Sequence, residues 1–451
     1  MVTVTARTST SVAARLAALV ADVTGDPLPV RLRAWDGSEA GPEDGPVLVI
    51  HDKVAVRRML WSPNELGLAQ AYVAGEIDVE GDLADGFRRL WQQARENGRA
   101  RENGRARENG HVSGAGVKVG VGGRARALLA AMALGVVGGR PPEPDVQAKL
   151  SGEVHSRQRD RAAIGYHYDL SNAFYETLLD ETMAYSCAYF TSDNPSYRLA
   201  DAQRDKLDLI CQKLGLQPGM RLLDVGCGWG SLTVHAARHY GVRVTGVTLS
   251  AQQRAYADAW IASEGLRELA DVRLQDYRDV DDGPYDAIAT VEMGEHVGAG
   301  NYPTFACRLH SLLRPEGRLL VQQMSRGRHA PGGGAFIESY VAPDMHMRPV
   351  GETVALLEDA GLEVRDVHAM REHYVRTVAH WLATLERRWA EIVAIVGEPT
   401  ARVWRLYLVG GGLTFAEGRM GVDQILAVRP SVDGRSGMPA MRHFEAGGRR
   451  A

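Results

Sequence analysis

The chain has 451 residues, 45% of them apolar and 24% charged, with a formal net charge of −4. This composition supports a sizeable core, and two or three domains are expected because one core rarely grows past ~250–300 residues. It excludes the basic field of a nucleic-acid binder, and four scattered cysteines without CxxC or metal-ligand spacing exclude a disulfide framework and suit a reducing cytoplasm.

Residues 11–22 place apolar side chains at helical spacing, interrupted by Arg15, with no small-residue cleavage pattern behind them. A helix is expected there, not a signal peptide. Strand-like pieces at 29–35 and 45–52 precede helical pieces at 53–61 and 65–75. Residues 1–92 therefore read as a small α+β domain.

Residues 93–150 read as a linker. Arg-Glu-Asn-Gly recurs at 95–98, 101–104 and 107–110. A glycine every six residues costs a helix ~1 kcal/mol each time, so a mobile tether is expected. A glycine-rich stretch, a short helical piece at 124–135 and Pro141-Pro142 follow. Residues 95–161 hold 13 Lys/Arg against 7 Asp/Glu, and two readings stand. One is a solvated tether. The other is attraction to an anionic membrane surface, at ~1 kcal/mol per basic residue near the lipid, with helix 124–135 adding a shallow apolar contact. The longest apolar run, 127–137, is shorter than the ~20 residues that cross a bilayer. The expected location is cytoplasmic, peripheral at the inner face of the membrane.

From about residue 160 helices and short apolar strands alternate. Strand-like pieces lie at 220–226, 242–249, 285–293 and 317–324, with helical stretches such as 201–215 and 304–314 between them. Such alternation implies a parallel sheet with crossover helices. The tail from about 370 reads as mostly helical.

The chemistry concentrates at Leu222-Leu223-Asp224-Val225-Gly226-Cys227-Gly228-Trp229-Gly230, a buried strand running into a glycine-rich turn. Gly226, Gly228 and Gly230 let the backbone approach a ligand closely, and a helix N-terminus after them would point amides into the site. Dinucleotide-binding folds use similar loops. Asp224 ahead of the glycines, and the lack of a phosphate-binding Lys or Arg in the loop, favour S-adenosylmethionine. The next strand ends without the acid that usually binds ribose. Thr248, Ser250 and Gln253 are candidates for that task, or they cap the strand end. Asp276 and Tyr277 fall where the adenine ring usually rests, with Asp276 able to accept its amino hydrogen.

Several segments together resemble the cyclopropane fatty acid synthase family, which includes the mycolic acid methyltransferases. They are His167-Tyr168-Asp169-Leu170-Ser171-Asn172, Tyr185-Ser186-Cys187-Ala188-Tyr189-Phe190, the glycine loop, Gly246–Ser250, Glu295-His296-Val297-Gly298 and His373-Tyr374-x-Arg376-Thr377. The likeness spans roughly 160–430, and residues 30–83 resemble an accessory domain of phospholipid-acting members. It implies an α/β, Rossmann-like class I methyltransferase domain over 151–451 beside the N-terminal α+β domain. It also implies S-adenosylmethionine as cofactor, with Tyr168, Tyr185 and Ser186 added to its binding set. The implied reaction is methyl transfer to the cis double bond of an unsaturated acyl chain, usually in a phospholipid, with peripheral membrane contact and no nucleic acid.

In relatives the proton acceptor is a bicarbonate ion held by Cys, Glu, His and Tyr. The matching positions here are Cys187, Glu295 and Tyr374, with Gln322 where most of the family has histidine. Glu292 and His296 are close neighbours of Glu295, and His296 reads as structural. Cys187 and Tyr374 also have plain readings as core residues. Residues 340–349 replace the usual Pro-Gly-Gly segment. Gln322 and this loop favour a 10-methylene product, the precursor of a 10-methyl branch made by a separate reductase, over a cyclopropane ring. A small-molecule methyltransferase and a non-catalytic lipid-binding protein are the rivals from other classes. Assembly into a homo-oligomer is left open.

Overall fold

The computed structural model describes residues 11–105, 132–148, 152–168, 171–327 and 333–440. The chain divides into two compact units, Met1–Gln147 and Ala148–Ala451.

In the first unit Ser11 caps helix Val12–Thr24, its side chain accepting the Ala14 amide, and Gly25 in the left-handed region ends it. Four short strands follow: β1 (Arg31–Arg33), β2 (Glu39–Ala40), β3 (Val47–Ile50) and β4 (Ile77–Glu80). They form a sheet in the order β2-β1-β3-β4, with β1 parallel to β3 and the other pairs antiparallel. Asp52 and Asn64 cap helices Lys53–Trp61 and Glu65–Val73 between β3 and β4. Leu16, Leu32, Ile50, Val56, Tyr72 and Ile77 are buried. The expected α+β architecture is present.

The linker expectation needs correction at both ends. Helix Leu83–Arg105 runs through the first Arg-Glu-Asn-Gly copy and the second. It starts on a packed turn, with Leu83 buried and Arg89 bonded to Asp85 and Asp44. Gln92 donates to Glu96 one turn on, 3.0 Å away. Arg, Glu, Ala and Gln are strong helix formers, so propagation from an anchored first turn offsets the glycine cost. Downstream, residues 132–147 fold back onto the same unit. Arg58, paired with Glu76 at 2.9 and 2.6 Å, donates to the Pro142 carbonyl at 2.7 Å. Trp61 donates to the Gly138 carbonyl, and Gln70 to Gln147. The third repeat copy, the glycine-rich stretch and most of the helix expected at 124–135 lie outside the described residues.

The second unit holds a seven-stranded sheet. Its strands are β5 (Arg221–Val225), β6 (Arg243–Thr248), β7 (Ala270–Leu274), β8 (Tyr285–Val291), β9 (Leu313–Arg326), β10 (Glu363–Ala369) and β11 (Met420–Val428). The order is β10-β11-β9-β8-β5-β6-β7, and only β11 runs against the others. Successive β5 side chains point to opposite faces. Leu222 packs with Ile210, Val234 and Ala257 from helices Leu199–Leu214, Ser231–Tyr240 and Ala251–Ser263. Leu223 packs with Phe305, Leu309 and Leu357 from helices Tyr302–Leu312 and Val350–Asp359. Burial on both faces explains why these strands read as continuous apolar runs.

The tail is helical over Arg371–Arg387, Trp389–Val396 and Glu398–Ala416, as expected, but it closes with β11 between β9 and β10. These helices and Asn172–Leu178 enclose an aromatic cluster that includes Tyr175, Trp229, Tyr374, Trp381, Trp404 and Phe415. From β5 the chain proceeds outward to β6 and β7, then crosses to β8 and β9 on the other side. In such sheets the crevice for ligands lies beyond the strand C-termini at this reversal.

Candidate active site

A cavity opens at that reversal. Asp224 and Val225 of β5, Gly226 and Gly228 of the loop, Thr248 at the end of β6 and Glu292 after β8 line it. Tyr185, Ser186, Gln253, Asp276 and Tyr277 line it as well. The loop fits a ligand by its shape. Gly226 sits at φ 77°, and a Cβ there would come within 2.8 Å of Met293. Gly228 sits at φ 55°, and a Cβ there would meet no protein atom within 4 Å, only open cavity. Gly230 caps helix Ser231–Tyr240 and packs close to Ala257, so it shapes the turn from behind. The Tyr168 side chain lies outside the described residues.

Other predicted cofactor residues divide between lining and support. Burial pushes the Asp224 carboxyl up to about 6, although Thr233 donates to it at 2.9 Å. Thr248 donates to Gln253 at 2.7 Å. Ser250 accepts the Gln253 amide and caps helix Ala251–Ser263. Asp276 is held in a fork by Arg278, at 2.8 and 2.6 Å, and Arg278 reaches on to Asp160. Both Asp276 oxygens are thus engaged by the guanidinium. Ser186 accepts from the buried Lys206 ammonium at 2.9 Å.

Beside this cavity Cys187, Gln322 and Tyr374 converge, and the acid they converge on is Glu292. The Cys187 amide donates to Glu292 Oε1 at 2.8 Å, and Gln322 Nε2 donates to the same oxygen at 2.9 Å. The Tyr374 hydroxyl donates to Oε2 at 2.7 Å. Burial pushes the Glu292 carboxyl up, and these donors together with the Lys206 charge pull it back. Glu292 itself has φ 52°, in the region that disfavours a side-chain-bearing residue.

The expectation that Glu295 occupies this centre is therefore corrected. Glu295 lies one turn on, in the short turn Gly294–His296, and its Oε1 accepts the Met324 amide. Its Oε2 is buried without a hydrogen-bond partner. Burial and the neighbouring Glu292 charge push its carboxyl up to about 8, which leaves it neutral at pH 7. His296 is half-buried and lines the cavity, and desolvation holds its imidazole down at about 4.

Cys187 contributes its backbone amide. Its thiol donates to the Ala188 and Met370 carbonyls, and burial holds it well above the usual thiol range. The irregular strip 184–190 belongs to no strand, and side chains fix it instead. Gln203 donates to the Ala184 and Ser186 carbonyls. Thr377 accepts the Ala188 amide, His373 accepts the Phe190 amide, and Arg376 lies over the Phe190 ring. Gln424 on β11 donates to Gln322 Oε1 at 2.9 Å, which turns the Gln322 amide toward Glu292. Glu292, Lys206 and Gln424 were not among the expected site residues. Lys206 carried one signal: it falls on the buried face of its helix, four residues from Ala202 and four from Ile210.

A glycine cradle at the switch point, an acid beneath it and no phosphate-binding cation in the loop define an S-adenosylmethionine-dependent class I methyltransferase. Residues 155–425 match the mycolic acid cyclopropane synthetase family, and the chain belongs to that family. It is 35% identical over 424 residues to a "Probable fatty acid methyltransferase" of Pseudomonas putida, covering 92% of this chain and 95% of that one. It is 31% identical over 420 residues to a tuberculostearic acid methyltransferase of Mycobacterium tuberculosis, covering 90% and 89%. A solved mycolic acid cyclopropane synthase, in complex with SAH and CTAB, matches with TM-score 0.56 and 32% identity over 59% of this chain and 97% of that one.

Two outcomes follow. Gly228→Val directs a branched side chain into the open cradle and adds strain at a positive φ. It abolishes S-adenosylmethionine binding in calorimetry while the circular dichroism spectrum is retained; unchanged affinity would remove the loop from the site. Glu295→Gln keeps shape and neutrality, so turnover stays within a few-fold of the parent. In the parent the unfolded chain loses the Glu295 proton from about pH 4.3, whereas the folded chain keeps it to about 8. Stability therefore falls as pH rises across that window, and the glutamine variant shows a shallower fall in urea midpoints. A hundredfold loss of turnover would return the catalytic role to Glu295.

Proposed function

We propose that this protein methylates the cis double bond of an unsaturated acyl chain carried on a phospholipid and yields a 10-methylene chain. S-adenosylmethionine-dependent methylation of fatty acyl chains is the coarser activity. Bound S-adenosylmethionine supplies an electrophilic sulfonium methyl. The protein must then hold an apolar chain, shelter a carbocation and accept one proton.

The observation that carries this reading is the Glu292 carboxylate, held by three donors at the edge of an aromatic chamber. Tyr185 lines the cofactor cavity, with its ring 5.2 Å from Trp381 and 5.9 Å from Trp404. Its hydroxyl is tied to Tyr407. Tyr374 packs on Phe415 at 4.5 Å. Such faces bind an alkyl chain and attract a cation through the ring quadrupole, by ~2 kcal/mol or more in a dry site. A polar small-molecule substrate would leave these rings unmatched, and a non-catalytic lipid carrier has no use for a clamped acid next to a cofactor cradle.

Gln322 supports the methylene outcome. A side-chain amide takes up no proton at neutral pH, so deprotonation falls to a carboxylate confined by three hydrogen bonds. A confined base waits for the C–H bond it faces, and a 1,2-hydride shift can precede proton loss. A bias of ~1.4 kcal/mol at that branch is tenfold in product ratio. A relative matched over nine-tenths of this chain is named for tuberculostearic acid. The exocyclic alkene would then need a separate reductase to become a methyl branch.

Membrane contact is part of the same proposal. Among the described residues no helix is long and apolar enough to cross a membrane. Trp61 is 56% exposed, as is Val137 beside its Gly138 hydrogen-bond partner. An exposed indole suits the lipid–water boundary, and the basic run from Arg95 adds attraction to anionic lipid.

Lipids of a host expressing the protein, converted to methyl esters and run by gas chromatography with mass spectrometry, show a methylene-branched chain from the phospholipid fraction. A cyclopropane chain alone would replace this reading with ring formation on the same substrate. Trp61→Ser combined with serine at Arg95, Arg99, Arg101 and Arg105 lowers binding to anionic vesicles several-fold, most at low salt where screening is weak. Turnover on detergent-dispersed lipid stays near that of the parent. Equal vesicle binding would end the membrane role of these residues.

A further inference from the structure

The resemblance to bicarbonate-using relatives implies an anion held by Cys187, Glu295 and Tyr374, with Gln322 standing where most of the family has histidine. In this chain the donors at those positions are already engaged. The Cys187 amide, the Gln322 amide and the Tyr374 hydroxyl all point at the Glu292 carboxylate. Carboxylate and bicarbonate present the same pair of oxygens to such donors. The site therefore does not fit a separate bicarbonate while Glu292 stands in it.

We infer that the Glu292 carboxylate is itself the catalytic base, a covalently attached acceptor in the place of a bound ion. This rests on the proposed methylation of an acyl double bond. In the step, the alkene electron pair forms the new C–C bond as the C–S bond of the sulfonium breaks toward sulfur. The acyl chain is left as a carbocation. Glu292 then removes one proton from the added methyl group, either with ring closure or after a hydride shift, and the C–H electrons quench the cation. The neutral Glu292 acid returns its proton to solvent before the next turnover.

Four observations make Glu292 suited to this. It lines the cofactor cavity, which Glu295 does not. It is the acid that takes all three donors. Its surroundings act on the carboxyl in both directions: burial raises it, while the donors and the buried Lys206 ammonium act against that. Its backbone is also held at φ 52°. A non-glycine residue kept in that region costs on the order of 1–3 kcal/mol and persists only where its surroundings over-determine it. The three donors are those surroundings.

The test uses the full chain with an unsaturated phospholipid in vesicles and methyl-labelled S-adenosylmethionine, counting label in the lipid extract. This readout is blind to ring or methylene, so failure of the product assignment appears in the mass spectrum and failure of this inference does not. In buffers sparged free of carbon dioxide the parent keeps its full rate, and added bicarbonate leaves it unchanged. Glu292→Gln loses at least a hundredfold in turnover, as for loss of a positioned base, with cofactor affinity by calorimetry within a few-fold of the parent. Glu292→Gly vacates the anion position and suits the positive φ. Bicarbonate, formate or acetate then restores a saturable part of the rate. A parent rate that collapses without bicarbonate, or a Glu292→Gln variant that binds cofactor and turns over normally, would overturn the inference. A Glu292→Gly variant that binds cofactor yet gains nothing from any of the three anions would do so as well.

Discussion

The clamp on Glu292 is the interaction on which the rest of the site depends. A carboxylate drawn partly out of water carries a desolvation cost unless hydrogen bonds and charge replace the lost hydration. Here the replacements come from far apart in the chain: Cys187 lies 105 residues before Glu292, Gln322 30 after and Tyr374 82 after. Satisfying one acid thus fixes the relative positions of the 184–190 strip, β9 and the helix that carries Tyr374. The motif around Tyr374 is intelligible in these terms. His373, Thr377 and Arg376 all grip the strip, so the hydroxyl and the amide that hold Glu292 are delivered by a single assembly.

Two acids three residues apart have been pushed to different tasks by their surroundings. Glu292 has three donors and the field of a buried lysine. Glu295 has one backbone amide and the repulsion of Glu292 itself, and is driven to about 8. The Glu292 charge is part of what raises the Glu295 carboxyl, since two close carboxylates resist joint ionisation. Neutral Glu295 then ties the turn after β8 to β9 through Met324, and its backbone carbonyl accepts from His346 in the 340–349 loop. That acid therefore holds the floor on which its neighbour stands.

Much of this was legible in the residues. The strands buried on both faces read as apolar runs, and the glycine loop read as a cofactor cradle because glycine spacing and a preceding acid have local causes. Cys187, Gln322 and Tyr374 could be singled out together, since each sits in a short segment that resembles the family. The donors meet at Glu292 instead of Glu295, one turn on, because local pattern cannot say which of two glutamates at the end of a strand they reach. That choice is made by β9 and the tail helix, both distant in sequence. The last strand was missed for a related reason. Asp423 and Gln424 interrupt an apolar segment after a long helical tail, and only its insertion between β9 and β10 gives those polar side chains their partners. The repeat at 95–110 misled in the opposite sense. Glycine content argued locally for a tether, while an anchored first turn let helix propagate through it.

Gln322 looks like a defect when a histidine is expected, and the geometry gives it a different meaning. A histidine there would bring a titratable ring against an acid that already carries the site's negative charge. Glutamine offers a donor whose state does not change with pH. Gln424 occupies the amide's oxygen, so the nitrogen is left to face Glu292. The glutamate at 292 and the glutamine at 322 are therefore two halves of one arrangement. An acid fixed in the backbone needs a neutral, oriented donor, and such a donor fits a permanent carboxylate better than a diffusible ion that must enter and leave. The strand that was hardest to read supplies the residue that orients this pair.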